Sequence, residues 1–247
     1  TGAGALAMEG IWSRRLVPWV GGTAMGQIAT VATYMLGLFL GAAAGAKASR
    51  GKNPRRGFLV AELGAALAGW MAIWGLPLAD PLFALLSDGE LLSGTDGALL
   101  RGAAGSLLML PATFLMGFGF PLAMAAVEER HPKAAGAGLV YGVNTLGAAL
   151  GVLAGGFLIV PGLGLLWGAS LVAVVEWTAL AWAWKPSPIL PMPSPGGESG
   201  ESAEAPNSPA SWPLFVSVFL GGAVALAYEV FLFRILGLML GPTARAF

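Results

Sequence analysis

ATYMLGLFLGAAAGA, residues 32–46, decides the fold: it closes a stretch from Leu16 to Ala46 that holds no charged side chain. A helix needs about 20 mainly apolar residues to cross the hydrocarbon core of a bilayer, so a span is expected at 24–46. Moving outward, the polar, basic segment KASRGKNPRR (47–56) follows, and then an apolar run at 58–79 interrupted by Glu62 alone. Residues 80–101 carry Asp80, Asp88, Glu90 and Asp96 and read as a loop. Apolar runs resume at 102–127 and 136–160, and Pro161-Gly162-Leu163-Gly164 makes a turn before a span at 165–184. Residues 185–211 are rich in Pro, Ser, Gly and Glu and read as a solvated linker. A last apolar run covers 213–240. The first apolar stretch, 2–12, is too short to span alone, and with Thr1 in place of Met the start of the chain reads as cut or processed.

Composition agrees with this pattern. Of 247 residues 56% are hydrophobic and 11% charged, less than half the ~25% typical of soluble domains. Mean hydropathy is +0.75. Thirteen Lys and Arg balance thirteen Asp and Glu, which excludes a polycationic nucleic-acid binder and a charge-rich disordered chain. There is no Cys, hence no disulfide, thiolate nucleophile or iron–sulfur ligand. The class that remains is a polytopic membrane protein.

Orientation follows from the cations. Lys47, Arg50, Lys52, Arg55 and Arg56 lie in one loop, Arg130 and Lys133 in the 127–135 loop, and Lys185 opens the linker. If the spans alternate, these three segments share a side, and that side is expected to be cytoplasmic. Arg14, Arg15, Arg101 and the acidic 80–101 segment fall opposite.

An internal repeat ties the two ends together. GAGALAMEGIWSRRLVPWVGGTA (2–24) aligns with GAVALAYEVFLFRILGLMLGPTA (222–244) at a constant offset of 220. Glu9 matches Glu229, Arg14 matches Arg234, Gly21 matches Gly241 and Thr23 matches Thr243. An intramembrane Glu followed five residues later by Arg, in one register, is a far rarer coincidence than the Ala and Gly matches. One repeat then holds six spans, and the chain is one repeat plus the opening of the next, with its first helix truncated. An even number of spans gives both units the same orientation, as in the parallel halves of major facilitator transporters.

The stretch GLVYGVNTLGAALGVLAGGFLIVPGLGL (138–165) resembles the transmembrane part of membrane-bound spermidine-synthase-like proteins. So do GFGFPLAM (117–124), the span–basic loop–span around 41–62, and the Glu-containing first helix with its downstream Arg and Gly-x-Thr. That family joins major-facilitator-like helices to an aminopropyltransferase domain. The resemblance implies a transporter-like membrane module. It does not bring the synthase activity, because this chain carries neither a Gly-rich nucleotide-binding turn nor an acidic polyamine pocket.

Ionisable groups inside a span cost a few kcal/mol and mark function by default. Glu9 and Glu229 lead because the repeat relates them; a carboxyl there can bind a cation or carry a proton where the halves meet. Its plainer role is to accept hydrogen bonds from a neighbouring helix. Glu62 either belongs to a site or reaches the Arg55 and Arg56 guanidiniums at the membrane edge. Glu176 lies well inside its span, with Trp177, Trp182 and Trp184 as an interface belt. Asn144 can coordinate a substrate or hydrogen-bond between helices. Gly138 with Gly142, and Gly147 with Gly151 and Gly155, form G-x-x-x-G units for close helix packing. Lys47, Arg50, Lys52, Arg55 and Arg56 resemble the basic loop between the second and third helices of major facilitators, with Ala or Ser where the family has Asp. They serve as a topology determinant or a contact to anionic lipid. The single His131 is too little for a zinc site, and no Ser has a His base nearby. No haem, metal or nucleotide cofactor is expected, and no catalytic constellation is legible.

The expected fold is therefore all-α: a polytopic transmembrane helical bundle. Residues 1–184 form a major-facilitator-like six-helix unit, 185–211 a cytoplasmic linker, and 212–247 the first helix of a second unit. The expected function is a transporter-like module for a small cationic solute in a bacterial cytoplasmic membrane. Its partners are the lipid bilayer and a protein partner or second copy completing the other half; nucleic acid is not one. The alternatives are a structural subunit of a larger membrane complex, or a membrane anchor for a separate polyamine-synthase-type enzyme.

Overall fold

A computed structural model describes residues 2–20, 23–51, 53–87, 94–128 and 135–184. The linker at 185–211, the segment 212–247 with Glu229, and Lys52, Arg130, His131 and Lys133 lie outside them.

The charge-free run becomes α2 (Thr23–Ala48), preceded by α1 (Gly2–Val20) and followed by α3 (Pro54–Ser87). Next come α4 (Gly94–Glu128), α5 (Ala135–Ala154), one π-helical turn (Gly155–Ile159) and α6 (Val160–Trp184). No strand occurs among the described residues. Four segments are long and apolar enough to cross a membrane: Gly26–Ala48, Pro54–Leu78, Gly97–Glu128 and Val140–Trp184. The last is divided at Gly164, whose φ of 74° and ψ of −178° fall in a region open essentially to Gly alone. The chain reverses there, and Gly168 comes back against Ile159 of the π-turn. The turn expected at 161–164 is thus located in the backbone.

One expectation is corrected. The 80–101 segment is not a continuous loop: α3 runs on to Ser87 and α4 starts at Gly94. Ala and Leu between the acids favour helix and outweigh the solvating effect of the Asp and Glu side chains. At 34 residues α3 is about 51 Å long at the standard rise, well beyond a ~30 Å hydrocarbon core, so helix continues past it. The 2–12 stretch is the first part of a 19-residue helix that carries on through Arg14 and Arg15, and α1 is not among the four segments long and apolar enough to cross a membrane.

That helix is the axis of the bundle. Met8, Ile11, Trp12, Leu16 and Val20 of α1 are all buried, and Tyr34, Ile73, Leu76, Met109, Ala112, Ala169, Val172 and Ala173 close around it from α2, α3, α4 and α6. The spacing of three and four puts the α1 residues on adjoining faces, and α1 touches all five other helices. The Trp12 indole N–H donates to the Gly69 carbonyl at 3.4 Å, fixing α1 against α3. The outer faces carry Phe39, Leu63, Leu67, Met71, Leu107, Leu146 and Phe157, all exposed. In water such a surface would aggregate; in lipid it is the expected exterior. The chain is an all-α, polytopic transmembrane bundle.

The tightest seam joins α2 to α4. Of Gly37, Gly41 and Gly45, one turn apart, the first faces the Thr113 side chain and the other two the backbone of Phe114 and Phe118, while Gly117 returns the contact against Leu38. Ser106 and Thr33 add a hydrogen bond of 2.7 Å between the two helices.

Candidate functional site

The bundle holds a cavity of about 790 Å³ that takes wall residues from all six helices. Gly2, Ala3 and Ala5 come from α1, Tyr34 and Leu38 from α2, and Arg55, Phe58, Leu59 and Glu62 from α3. Met116, Gly117 and Phe120 come from α4, Val143, Asn144 and Gly147 from α5, and Ala183 from α6. The volume falls in the range usual for small-molecule sites, which combine apolar walls with a few placed polar groups. Here those groups are Tyr34, Arg55, Glu62 and Asn144.

Glu62 is 7% exposed, and no hydrogen bond or ion pair reaches its carboxylate among the described residues. Gly119 makes room for it: a Cβ there would stand 2.9 Å from Glu62 Oε1. The expected reach to the membrane-edge arginines is not made. Arg55 Nη2 instead donates to the Ala183 carbonyl, joining the start of α3 to the end of α6, and Arg56 is exposed. The helical geometry explains this, since seven residues on a helix separate Arg55 from Glu62 by about 10 Å. Glu176 of α6 lies over Gly4, where a Cβ would overlap its carboxylate. Two membrane-embedded carboxyl groups therefore stand near the Gly2–Gly4 end of α1.

Asn144 reaches the same cavity, and Gly2 packs on its backbone. Glu9 does not. It lines a separate cavity of about 150 Å³ with Ser13, Arg14 and Gln27, bounded by Gly155 and Gly156. Of the expected site residues the structure thus brings Glu62 and Asn144 together, sets Glu176 beside them and puts Glu9 elsewhere. Among the expected packing glycines, Gly151 sits against the Ala3 backbone, while Gly147 and Gly155 make ordinary contact with Ala3 and Ala7. At Gly138 and Gly142 an added Cβ meets nothing among the described residues. Lys47 and Arg50 are exposed at the α2 end. Among the described residues no group of three His, Cys, Asp or Glu could hold a metal.

Trp177 belongs to no interface belt. It packs on the core, its ring 6.5 Å from Trp70. Trp74 stands 6.2 Å from both Trp70 and Trp167. Ser170 Oγ accepts from the indole N–H of Trp70 at 2.9 Å and of Trp74 at 3.4 Å, so this cluster locks α3 to α6. Trp182 and Trp184 remain exposed at the end of α6. Sequence reasoning passed over Tyr34, Gln27 and the Gly37–Gly41–Gly45 series. Each could have been found by asking which uncharged polar and small residues interrupt the charge-free run.

No protein-family model, curated protein or solved structure matches the chain. The resemblance to spermidine-synthase-like membrane proteins therefore rests on its quoted motifs, and the class to which the chain belongs is that of all-α, polytopic membrane proteins.

Proposed function

We propose that the chain is a transporter-like module that holds a small cationic solute in the 790 Å³ cavity, with the Glu62 carboxylate as its counter-charge. One observation carries this reading: the Glu62 carboxylate is buried and borders the cavity. Burying a carboxylate costs several kcal/mol, a cost that a bound cation offsets. Asn144 and Tyr34 orient the solute, and Glu176 adds a second acidic group next to the cavity. The major-facilitator-like resemblance agrees, since transporters of that build bind substrate near the bilayer midplane between helices. In this reading residues 1–184 are one six-helix unit, 185–211 is the central cytoplasmic linker, and 212–247 opens a second unit in which Glu229 repeats Glu9. The membrane is then a bacterial cytoplasmic one, with the 47–56 loop inside.

The test is calorimetric binding of tetramethylammonium and methylguanidinium to the full chain in nanodiscs. Glu62→Gln keeps the shape and removes the charge, and weakens binding at least tenfold. Equal affinity in that variant refutes the reading. A second reading, a structural subunit of a larger membrane assembly, is favoured by α5 and α6, which are the least buried of the membrane-crossing segments. Native co-purification separates the two: a stoichiometric protein partner supports the subunit, and a monodisperse free protein supports the solute-binding module.

A further inference from the structure

The smaller cavity, about 150 Å³, lies between α1, α2, α5 and the π-turn, on wall residues that the larger one does not share. Gln27 enters its wall from α2. It is 9% exposed, and its amide makes no hydrogen bond among the described residues. A primary amide offers two donors and an acceptor, and these atoms are not among the fully buried, unbonded polar atoms of the described residues, so the amide stays open to the cavity. Gln27 is the second residue of the apolar span Gly26–Ala48. Across from it, α1 contributes Glu9, Ser13 and Arg14, one negative and one positive charge in the same wall. The π-turn forms the far side: the Val160 N–H bonds to the Gly155 carbonyl, and Gly156 leaves space beside the Arg14 guanidinium, where a Cβ would come within 3.6 Å. Single π-turns of this kind are frequent at functional sites.

We propose that this cavity is a second binding site, for a small zwitterion of amino-acid size. Size sets the first limit. At about 30 Å³ per water the cavity holds about five waters, hence a solute of about five to seven non-hydrogen atoms. Charge sets the second. An anion entering meets Glu9 and a cation meets Arg14, so a singly charged solute faces a like charge whichever its sign. A zwitterion presents its ammonium to Glu9 and its carboxylate to Arg14, adding to the contacts those side chains already make. Gln27 then supplies what the amide alone can, an acceptor for the ammonium or a donor for the carboxylate. Leu6, Ile11, Val31, Val152 and Val160 close the remaining wall and keep the polar contacts away from lipid.

The experiment is calorimetric titration of the full chain in nanodiscs, with the larger cavity saturated by tetramethylammonium, using glycine and alanine, and acetate and methylammonium as their singly charged halves. Glycine binds saturably, and each half binds at least tenfold more weakly. Gln27→Leu lowers glycine affinity at least tenfold, while its melting temperature without ligand stays equal or rises because the unpartnered amide is gone. Should that variant not fold, Gln27→Met removes the amide from an unbranched side chain of similar length and serves in its place. No saturable glycine binding, halves that bind as well as glycine, or affinity unchanged in the Gln27 variant each overturn the proposal. Tetramethylammonium binding in the larger cavity is read separately, so failure of one site leaves the other standing.

Discussion

Replacing Gly41 with Ala probes the α2–α4 seam on which the bundle rests. A Cβ at Gly41 would overlap the Phe114 carbonyl oxygen and come within 2.7 Å of the Phe118 nitrogen. Both neighbours are backbone, so no rotamer change relieves the contact and the helices must part. Overpacking of this kind costs about 1–3 kcal/mol, set against a gain of about 1 kcal/mol from replacing Gly by Ala in a helix. A net loss of up to about 2 kcal/mol is expected. Gly142→Ala is the matched control: it gains the same helix propensity, but the new methyl meets nothing among the described residues, so it leaves stability equal or raises it by up to about 1 kcal/mol. Reversible unfolding in mixed micelles, followed by circular dichroism, measures both. Equal stability changes in the two variants would refute the close approach of α2 to α4.

Three further outcomes test other parts of the structure. Ser170→Ala removes the acceptor of two indole N–H groups; it should lower stability by about 1–3 kcal/mol and shift tryptophan emission, whereas an unchanged spectrum contradicts the Trp70–Trp74–Ser170 contact. Gly164→Ala forces a side chain into a backbone region that L residues avoid, at about 1–3 kcal/mol; a neutral result in the same unfolding assay argues against the reversal at 164. Thr33→Val deletes the 2.7 Å bond to Ser106, and bonds of this kind between membrane helices average ~0.6 kcal/mol, so a loss above about 2 kcal/mol would mean that Thr33 does more than bridge α2 to α4.

How much was legible varies with what each feature depends on. The 24–46 span became α2 (Thr23–Ala48), because an uncharged run of that length has one stable solution in lipid. The 161–164 reversal was legible from Pro and Gly alone. The acidic 80–101 segment misled, since charge speaks for solvation and not against helix. The importance of α1 was hidden by Glu9, Arg14 and Arg15, which lower its apolarity below that of its neighbours although its other faces fill the core. Glu62 was visible as an intramembrane acid, yet its place in a cavity depends on which helices adjoin α3, and no periodicity in one segment encodes that. Glu9 led in the sequence because the repeat relates it to Glu229, and Glu62 was set against the membrane-edge arginines; packing puts the two in different cavities. Gly37, Gly41 and Gly45 stood in the stretch that fixed the first span, and their spacing of four was the legible sign of the α2–α4 seam.

Whether the Glu62 position opens to a cavity or lies packed in protein and lipid is the most direct question to put to this account. The chain has no cysteine, so a single introduced thiol reports alone. Glu62→Cys and Leu63→Cys are compared in nanodiscs for modification by a membrane-impermeant cationic methanethiosulfonate, with mass spectrometry as readout. Leu63 is 45% exposed on the outer face, which is lipid in a membrane, and a thiol there has no water in which to ionise. The account predicts modification at position 62 at least tenfold faster than at 63. Equal rates, or a faster reaction at position 63, would contradict it.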